Sequence, residues 1–375
     1  MSSLARIALA GLCVAALPGA ALATTSQPQP YVPPTSGTAT AAGWSLPWNT
    51  VDLGTCSLPS GTAAAQGSSV SCAPGSKPPP TVARYAFGSV WVAGSAAYMS
   101  GSAATFLQAV NPTTQAVSAG TMVQGVTNPK AAVQGGSYLW LAGATATAAN
   151  GKSSTVVVGV DSTGTARKTF KASLSASGAS GVSAAYGGGS VWVGDSAGRI
   201  YALSPSSGKL VRTITTPNTR ALAVSGSYLW AASSSNRTVR LFKTSNGATV
   251  KTFNVTGAPT AMVLVSGNMY VFTESYVYKY NASSLKQTLR VQVPNPGIGA
   301  WMGATAGPGG VWASCYVASI LRFNTSTGKI DVNATWSNSN TAGPITSAAG
   351  ALWVPDIGSS PYPVGHGLTR FVPSS

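Results

Sequence analysis

The chain repeats one short unit seven times, and this repetition limits its possible folds more than any other feature. Each unit is a glycine followed within a few residues by an apolar run with an aromatic residue near its centre. The aromatic anchors are Trp91, Trp140, Trp192, Trp230, Tyr270, Trp312 and Trp353. Successive anchors lie 38 to 52 residues apart. Several copies at a period near 40 residues are typical of a β-propeller.

Each unit also predicts four short strands. In the third unit Val191 and Val193 share one face of a strand and Trp192 occupies the other, because side chains alternate along a strand. Both faces are therefore apolar, as a sheet packed between two neighbouring sheets requires. The segment before each glycine is rich in Ala and Ser, which suits an innermost strand where sheets converge on an axis. We predict an all-β fold, a seven-bladed β-propeller of four-stranded blades over residues 81–375.

The seventh unit is incomplete. The chain ends soon after Trp353, one strand short of a full blade. A sheet edge left open in this way invites pairing with other molecules. We therefore predict that a strand from the N-terminal region, around Trp48 to Leu53, completes the last blade.

Over residues 81–375 the chain resembles the secreted propellers of the YVTN and virginiamycin B lyase-like groups. The residues that carry the resemblance are Gly189–Val193, which read Gly-x-Val-Trp-Val, and Ala202–Ile214, which read ALSPSSGKLVRTI. The resemblance implies a metal-assisted lyase with His and Glu on one face of the ring. Here the single histidine, His366, is in the last unit and Glu274 is in the fifth. We expect a non-catalytic protein without metal or cofactor, and a propeller lyase or hydrolase is the alternative.

One short motif raises the possibility of a serine hydrolase. Residues 194–198 read GDSAG and match the nucleophile elbow G-x-S-x-G, and Ser196, Asp356 and His366 follow in the order of a catalytic triad. An elbow needs a helix after the serine, whereas a strand pattern follows here. We therefore predict that Ser196 lies in a hairpin turn.

The N-terminal region indicates export. Arg6 precedes the apolar run Ile7 to Leu17, and Ala21-Leu22-Ala23 fits a signal-peptide cleavage site, so we predict a signal peptide over residues 1–23. No second apolar span of membrane length follows, so we expect no transmembrane segment in the mature chain. The protein is expected outside the cytoplasm, secreted or associated with the cell envelope.

The Pro/Ser/Thr-rich residues 24–80 are predicted to form an extended, disordered arm. Cys56 and Cys72 enclose a loop within it, and export permits a disulfide there. The leftover Cys315 follows Trp312 in a strand-like run and is predicted to be a buried thiol.

Charge is scarce and strongly unbalanced. The chain has 22 Lys plus Arg against 6 Asp plus Glu, a formal net charge of +16. A fold with few carboxylates has little stability to lose when they protonate, which favours an acidic habitat. The competing hypothesis is attraction to a polyanion, because 15 of the basic residues fall between Lys152 and Arg290. Basic side chains that merely protect outer strand edges would look the same in sequence.

The predicted turns at one end of the ring suggest a ligand site. The residues expected to bind a ligand there are Arg220, Arg237, Tyr276, Trp301 and Tyr316. Aromatic side chains with a few polar groups suit a sugar or a peptide. The sequence therefore predicts a binding or scaffolding module whose partner is an anionic envelope polymer, a carbohydrate or another secreted protein.

Overall fold

The computed structural model describes residues 36–41, 44–53, 80–95, 104–118, 120–145, 153–172, 181–294, 300–316, 319–335, 341–357 and 367–373. They lie within the unit Pro33–Ser375 and form antiparallel sheets joined by short turns, and no helix occurs in these ranges.

The strands group into seven sheets in chain order, with two strands from the N-terminal region. These two are β1 (Ser36–Ala41) and β2 (Trp44–Asp52). Blade 1 contains β3 (Pro80–Ala86), β4 (Ser89–Ser95), β5 (Ala104–Val110) and β6 (Thr121–Gln124). Blade 2 contains β7 (Thr127–Gly135), β8 (Tyr138–Ala144), β9 (Thr155–Val160) and β10 (Ala166–Lys171). Blade 3 contains β11 (Gly181–Gly187), β12 (Ser190–Asp195), β13 (Arg199–Leu203) and β14 (Leu210–Thr215).

The remaining blades follow the same order. Blade 4 contains β15 (Thr219–Ser225), β16 (Tyr228–Ser233), β17 (Thr238–Lys243) and β18 (Thr249–Asn254). Blade 5 contains β19 (Pro259–Val265), β20 (Asn268–Thr273), β21 (Tyr276–Asn281) and β22 (Lys286–Gln292). Blade 6 contains β23 (Trp301–Gly307), β24 (Gly310–Cys315), β25 (Ser319–Asn324) and β26 (Lys329–Thr335). Blade 7 contains β27 (Thr346–Ala348), β28 (Ala351–Pro355) and β29 (Gly367–Phe371).

The seven anchors occupy equivalent positions, as the sequence predicts. Each lies in the second strand of its blade, opposite the inner-strand residue seven positions before it in the chain. The residues opposite the anchors are Arg84, Val133, Ala185, Ala223, Val263, Thr305 and Thr346. The indole N–H repeats one hydrogen bond: Trp140 donates to the carbonyl of Gly135 at 2.9 Å and Trp192 to that of Gly187 at 3.0 Å. The anchors are therefore a structural repeat and not only a sequence repeat.

Seven apolar clusters, each shared by two adjacent blades, close the sheets into a ring. Trp192 of blade 3, for example, packs with Leu222 and Phe242 of blade 4. Every anchor faces the next blade in the same way, and the anchor of blade 7, Trp353, packs with Val90 of blade 1. Burial of these side chains stabilises the ring, at about 1.5–3 kcal/mol for each large apolar residue.

The N-terminal strand closes the ring, which confirms the prediction from the short seventh unit. β2 pairs antiparallel with β29, from Trp48 opposite Phe371 to Asp52 opposite Gly367. β1 then adds a fifth strand outside β2, which the sequence did not predict. The Nδ2 of Asn49 also donates to the Oε1 of Gln115 in blade 1 at 2.7 Å. The closing strand β2 therefore contacts blade 1 as well as β29 of blade 7.

Other N-terminal predictions fall outside the described residues. They are the signal peptide over residues 1–23 and the Cys56–Cys72 disulfide. The prediction of a disordered arm over residues 24–80 is wrong for β1 and β2, because both strands pair into the sheet of the last blade. Cys315 is described and is buried, with 0% of its surface exposed. Within the described ranges, no helix has the length and apolarity that a membrane crossing requires.

Candidate functional site

Six inner strands, together with Pro344 and Ile345 just before the seventh, line a cavity of about 370 Å³ on the axis of the ring. Ala and Val supply half of the lining residues, so the predicted wealth of Ala is found, whereas Ser183 is the one serine among them. Three cationic side chains line it, Arg84, Lys130 and Arg220, and none of the described lining residues carries a carboxylate. A concave site with a few charged groups on a small-residue wall is the usual setting of a ligand site.

A recurring irregularity of the inner strands directs residues into this cavity. At the start of an inner strand the pairing skips residues, as between Thr219 and Ala221 in β15 or between Thr127 and Ala131 in β7. Such a bulge re-aims the inserted side chain. The inserted residues that line the cavity are Lys130, Val182, Arg220, Thr260 and Met302. Two of these five structurally equivalent positions are therefore cationic.

Arg84 reaches the cavity from a different position. It lies opposite the anchor Trp91, near the middle of β3. Its side chain faces the open cavity but is enclosed on all sides by the ring. The loss of surrounding water disfavours the charged form and lowers the pKa of the guanidinium. Arginine nevertheless stays charged in proteins. Among the described residues, the side chains of Arg84, Lys130 and Arg220 have no hydrogen-bond or ion-pair partner.

One end of the ring gathers most of the residues predicted to be functional. At this end, which we call the mouth face, each inner strand begins and each second strand turns into the third. Of the ligand-binding candidates, only Arg220 lines the axial cavity. Arg237 lies in an exposed turn of blade 4 with φ of 52°, and Tyr316 is 45% exposed after β24. These two residues stand on separate blades at the mouth face.

The other two ligand-binding candidates are occupied by packing within the protein. Trp301 is 2% exposed, and its indole N–H donates to the carbonyl of Thr273 at 2.8 Å. The guanidinium of Arg290 lies 3.7 Å from the centre of the Tyr276 ring. Trp301 and Tyr276 therefore already contact groups of this chain.

The GDSAG segment is a hairpin turn between β12 and β13, which confirms the prediction made for it. The Asp195 carboxylate accepts hydrogen bonds from the N–H of Ala197 at 3.0 Å and of Arg199 at 2.8 Å. Gly198 has φ of 87°, and a Cβ there would lie 2.7 Å from the carbonyl oxygen of Thr216. The Asp and the second Gly of this motif are therefore required by the turn itself.

The weak catalytic candidates are spread around the ring. Ser196 is exposed and lines an open cavity of about 460 Å³ with Asn218 and Arg240. Asp356 is buried in blade 7, which does not adjoin blade 3, and Glu274 is exposed in blade 5. His366 lies outside the described residues. In the part of the chain that the structure describes, no three His, Cys, Asp or Glu side chains are grouped so as to hold a metal ion.

The outer part of blades 2 to 5, made of the outermost strands and the turns that lead to them, carries a band of cations, which we call the basic rim. Its exposed members are Arg167, Lys171, Lys209, Lys243, Lys251, Lys286 and Arg290. Several rim cations are held in place by neutral groups. Arg212 donates to the carbonyls of Thr244 and Ser245 at 2.7 and 2.6 Å, and Lys251 donates to that of Leu285 at 3.0 Å. Each of these contacts joins one blade to the next and leaves the positive charge unneutralised.

Two carboxylates are stabilised in their charged form. Asp161 accepts hydrogen bonds from Thr163 and then Arg167, and these lower the pKa of its carboxyl far below its usual range. For Asp331, partial burial opposes ionisation, but hydrogen bonds from Arg322 and Asn324 outweigh it and lower the pKa. Asp161 is the one acid within the basic rim that forms an ion pair among the described residues, with Arg167.

Taken together, seven sheets with equivalent anchors around one axial cavity define a seven-bladed β-propeller. Solved structures support this fold. BamB from Moraxella catarrhalis aligns with a TM-score of 0.51 and 14% identity over 77% of this chain and 95% of its own. The WD40 β-propeller domain of Doa1 aligns with a TM-score of 0.57 and 14% identity over 80% of this chain and 93% of its own. No protein-family profile and no curated sequence matches the chain.

The sequence did not point to Arg84 and Lys130. A bulge changes which way a side chain faces, and the strand pattern does not show where the pairing skips a residue. The signal in the sequence is the position of a residue within its unit. Lys130 and Arg220 each stand three residues before the residue that pairs with their anchor, so aligning the seven units on their anchors places the two cations at the same position.

Proposed function

We propose that this propeller is an exported, non-catalytic binding module that attaches to an anionic polymer of the cell envelope through the basic rim. Export rests on the signal-peptide pattern of residues 1–23. Kinship with the secreted YVTN and virginiamycin B lyase-like propellers rests on the motif at Gly189–Val193. The observation that carries the proposal is the rim itself, in which cations of three adjacent blades, Arg212, Lys251 and Arg290, are fixed by carbonyls and an aromatic ring, so their charge stays unneutralised.

The arrangement suits a long polyanion better than a small ligand. Most rim cations lie on the outermost strands or in the turn beside them, where most side chains are exposed, and Lys243 ends the third strand of blade 4. A chain with regularly spaced negative groups can contact several blades at once, and each extra contact adds to the affinity without a deep pocket. Because these charges are exposed to solvent, such binding weakens steeply as salt is added.

The scarcity of carboxylates supports a working pH below neutral. Asp161 and Asp331 have lowered pKa values, so their stabilising contacts are present above the usual carboxyl pKa and disappear only as the pH falls through the lowered values. With 6 Asp plus Glu in the chain, few other groups can add to acid denaturation. We propose that the module keeps its fold and its positive rim in acid.

The test is binding of the purified mature protein to immobilised dextran sulfate across a salt series. Replacing the exposed lysines Lys171, Lys209, Lys243 and Lys286 with Gln removes one rim charge from each of blades 2 to 5. We expect the affinity to fall at least tenfold and the slope of log K against log salt to become shallower by about one for each lost contact.

A matched pair of single variants controls for net charge. Lys286 and Lys329 each begin the outer strand of their blade, are exposed, and pair with Asn281 and Asn324 respectively. Lys286→Gln on the rim is expected to weaken binding two- to threefold, while Lys329→Gln on blade 6 leaves it unchanged. Equal effects of both variants, or binding that ignores salt, would contradict the proposal.

A further inference from the structure

The axial cavity presents cations that ring packing does not require. The bulge positions of blades 3, 5 and 6 hold Val182, Thr260 and Met302, so the fold accepts neutral residues there. In blades 2 and 4 the same position holds Lys130 and Arg220. Like charges that share a cavity repel one another, and no described lining residue carries a compensating carboxylate. A bound anion would remove this repulsion.

The three charges stand at two depths. Lys130 and Arg220 precede by three residues the positions that pair with their anchors, Val133 and Ala223. Arg84 itself pairs with its anchor, Trp91. Three residues of strand correspond to about 10 Å, so the backbone of Arg84 stands about that much further from the mouth face than the backbone of Lys130 and Arg220. Cations attached at two levels of the wall suit a ligand with charge at both ends.

We propose that the axial cavity binds an elongated phosphate-type anion, with one end held by Lys130 and Arg220 at the mouth face and the other by Arg84. The guanidinium group matches phosphate oxygens with two parallel hydrogen bonds, and a lysine ammonium serves as a compact positive partner. A cavity of about 370 Å³ accommodates a small ligand of this kind. This site is separate from the basic rim and does not depend on polymer attachment there.

The experiment is calorimetric titration of the mature protein with phosphate, pyrophosphate and tripolyphosphate at low salt. We expect Kd to fall at least tenfold from phosphate to tripolyphosphate, because only the longer anion spans both levels. Arg84→Met is expected to remove most of this gain while leaving phosphate binding largely intact. The double variant Lys130→Met/Arg220→Met is expected to weaken all three probes at least tenfold.

Control variants separate this site from the rim and from misfolding. Arg84→Lys keeps the charge and is expected to retain part of the gain from chain length. Lys171→Met, an exposed rim change, is expected to leave every Kd within twofold, and far-UV circular dichroism and Tm check the fold of each variant. The inference is wrong if the three probes bind equally, if Arg84→Met leaves the chain-length gain unchanged, or if Lys171→Met weakens binding as much as the cavity variants.

Discussion

The closing strand offers the clearest single test of the ring, through Leu46. This residue lies in β2, is 0% exposed, and packs in the cluster shared by blades 6 and 7, with Trp312, Leu352 and Phe371. If β2 is an integral strand of the last blade, then Leu46→Ala opens a cavity in the core of the ring. If the N-terminal region only rests on the surface, the same substitution costs little.

The expected magnitude follows from burial. Replacing a fully buried leucine with alanine costs about 2–5 kcal/mol, because both transfer energy and contacts around the new cavity are lost. For a unit of this length the entropy of unfolding is about 0.7 kcal/mol per kelvin, from roughly 2.1 cal/mol/K per residue. A loss of about 3 kcal/mol therefore lowers Tm by about 4 °C.

The assay is thermal unfolding followed by circular dichroism or calorimetry, with Thr38→Ala as the control. Thr38 is an exposed residue of β1, so its truncation is expected to change Tm by less than about 1 °C. A Leu46→Ala protein that melts as the Thr38→Ala protein does would refute the placement of β2 in the core.

Three further predictions concern turns, blade contacts and pH. Gly198→Ala is expected to lower the free energy of unfolding by more than Gly189→Ala. Both glycines have positive φ, but only at Gly198 would the added Cβ lie 2.7 Å from a backbone oxygen, that of Thr216. Urea denaturation of the two variants measures the difference, and equal losses would contradict the prediction. Arg212→Met removes two hydrogen bonds to blade 4 and is expected to lower the free energy of unfolding by about 1–3 kcal/mol, whereas Lys171→Met lowers it by less than about 0.5 kcal/mol. Thermal unfolding compares the two variants. Equal Tm values would show that the contact between blades adds no stability. Asp331→Asn is expected to lower Tm at pH 5–7 and to lower it progressively less below about pH 4. The reason is that the pKa of Asp331 is lowered in the fold, so the stability that its carboxylate adds is lost as the pH falls. A difference in Tm between variant and wild type that stays constant from pH 7 to below pH 4 would contradict the prediction.

The fold could be predicted from sequence because its signal is repeated and local. Alternation around Trp192 and its counterparts marks a strand buried on both faces, and seven such strands at similar spacing leave few architectures. Closure by the N-terminal region could be predicted by counting strands, because the last unit has one strand fewer than the other six and a sheet edge left open invites pairing. The extra strand β1 could not be predicted in this way, because the sheet is already complete without it.

The candidate site was harder to predict because it depends on how units face one another. Arg220 was identified from its place near a turn, while Arg84 and Lys130 reach the cavity from different strands and different depths. Trp301 and Tyr276 have the residue types of a ligand site, but contacts within the chain engage them, namely the carbonyl of Thr273 and the guanidinium of Arg290. Composition near a turn does not distinguish a ligand contact from a packing contact.

The seven-bladed fold depends above all on a ring closed in one register by β2 and β29. The most direct measurement is disulfide formation between cysteines placed at Thr50 and Thr369, which face each other across these strands. Paired positions of adjacent strands lie within the Cα distance that a disulfide requires. Peptide mapping by mass spectrometry after mild oxidation is expected to show this crosslink, and to show none when cysteines replace Thr50 and Arg370, since a shift of one residue points the side chains to opposite faces. Crosslinking of the shifted pair alone, or of neither pair, would contradict the closed ring in this register.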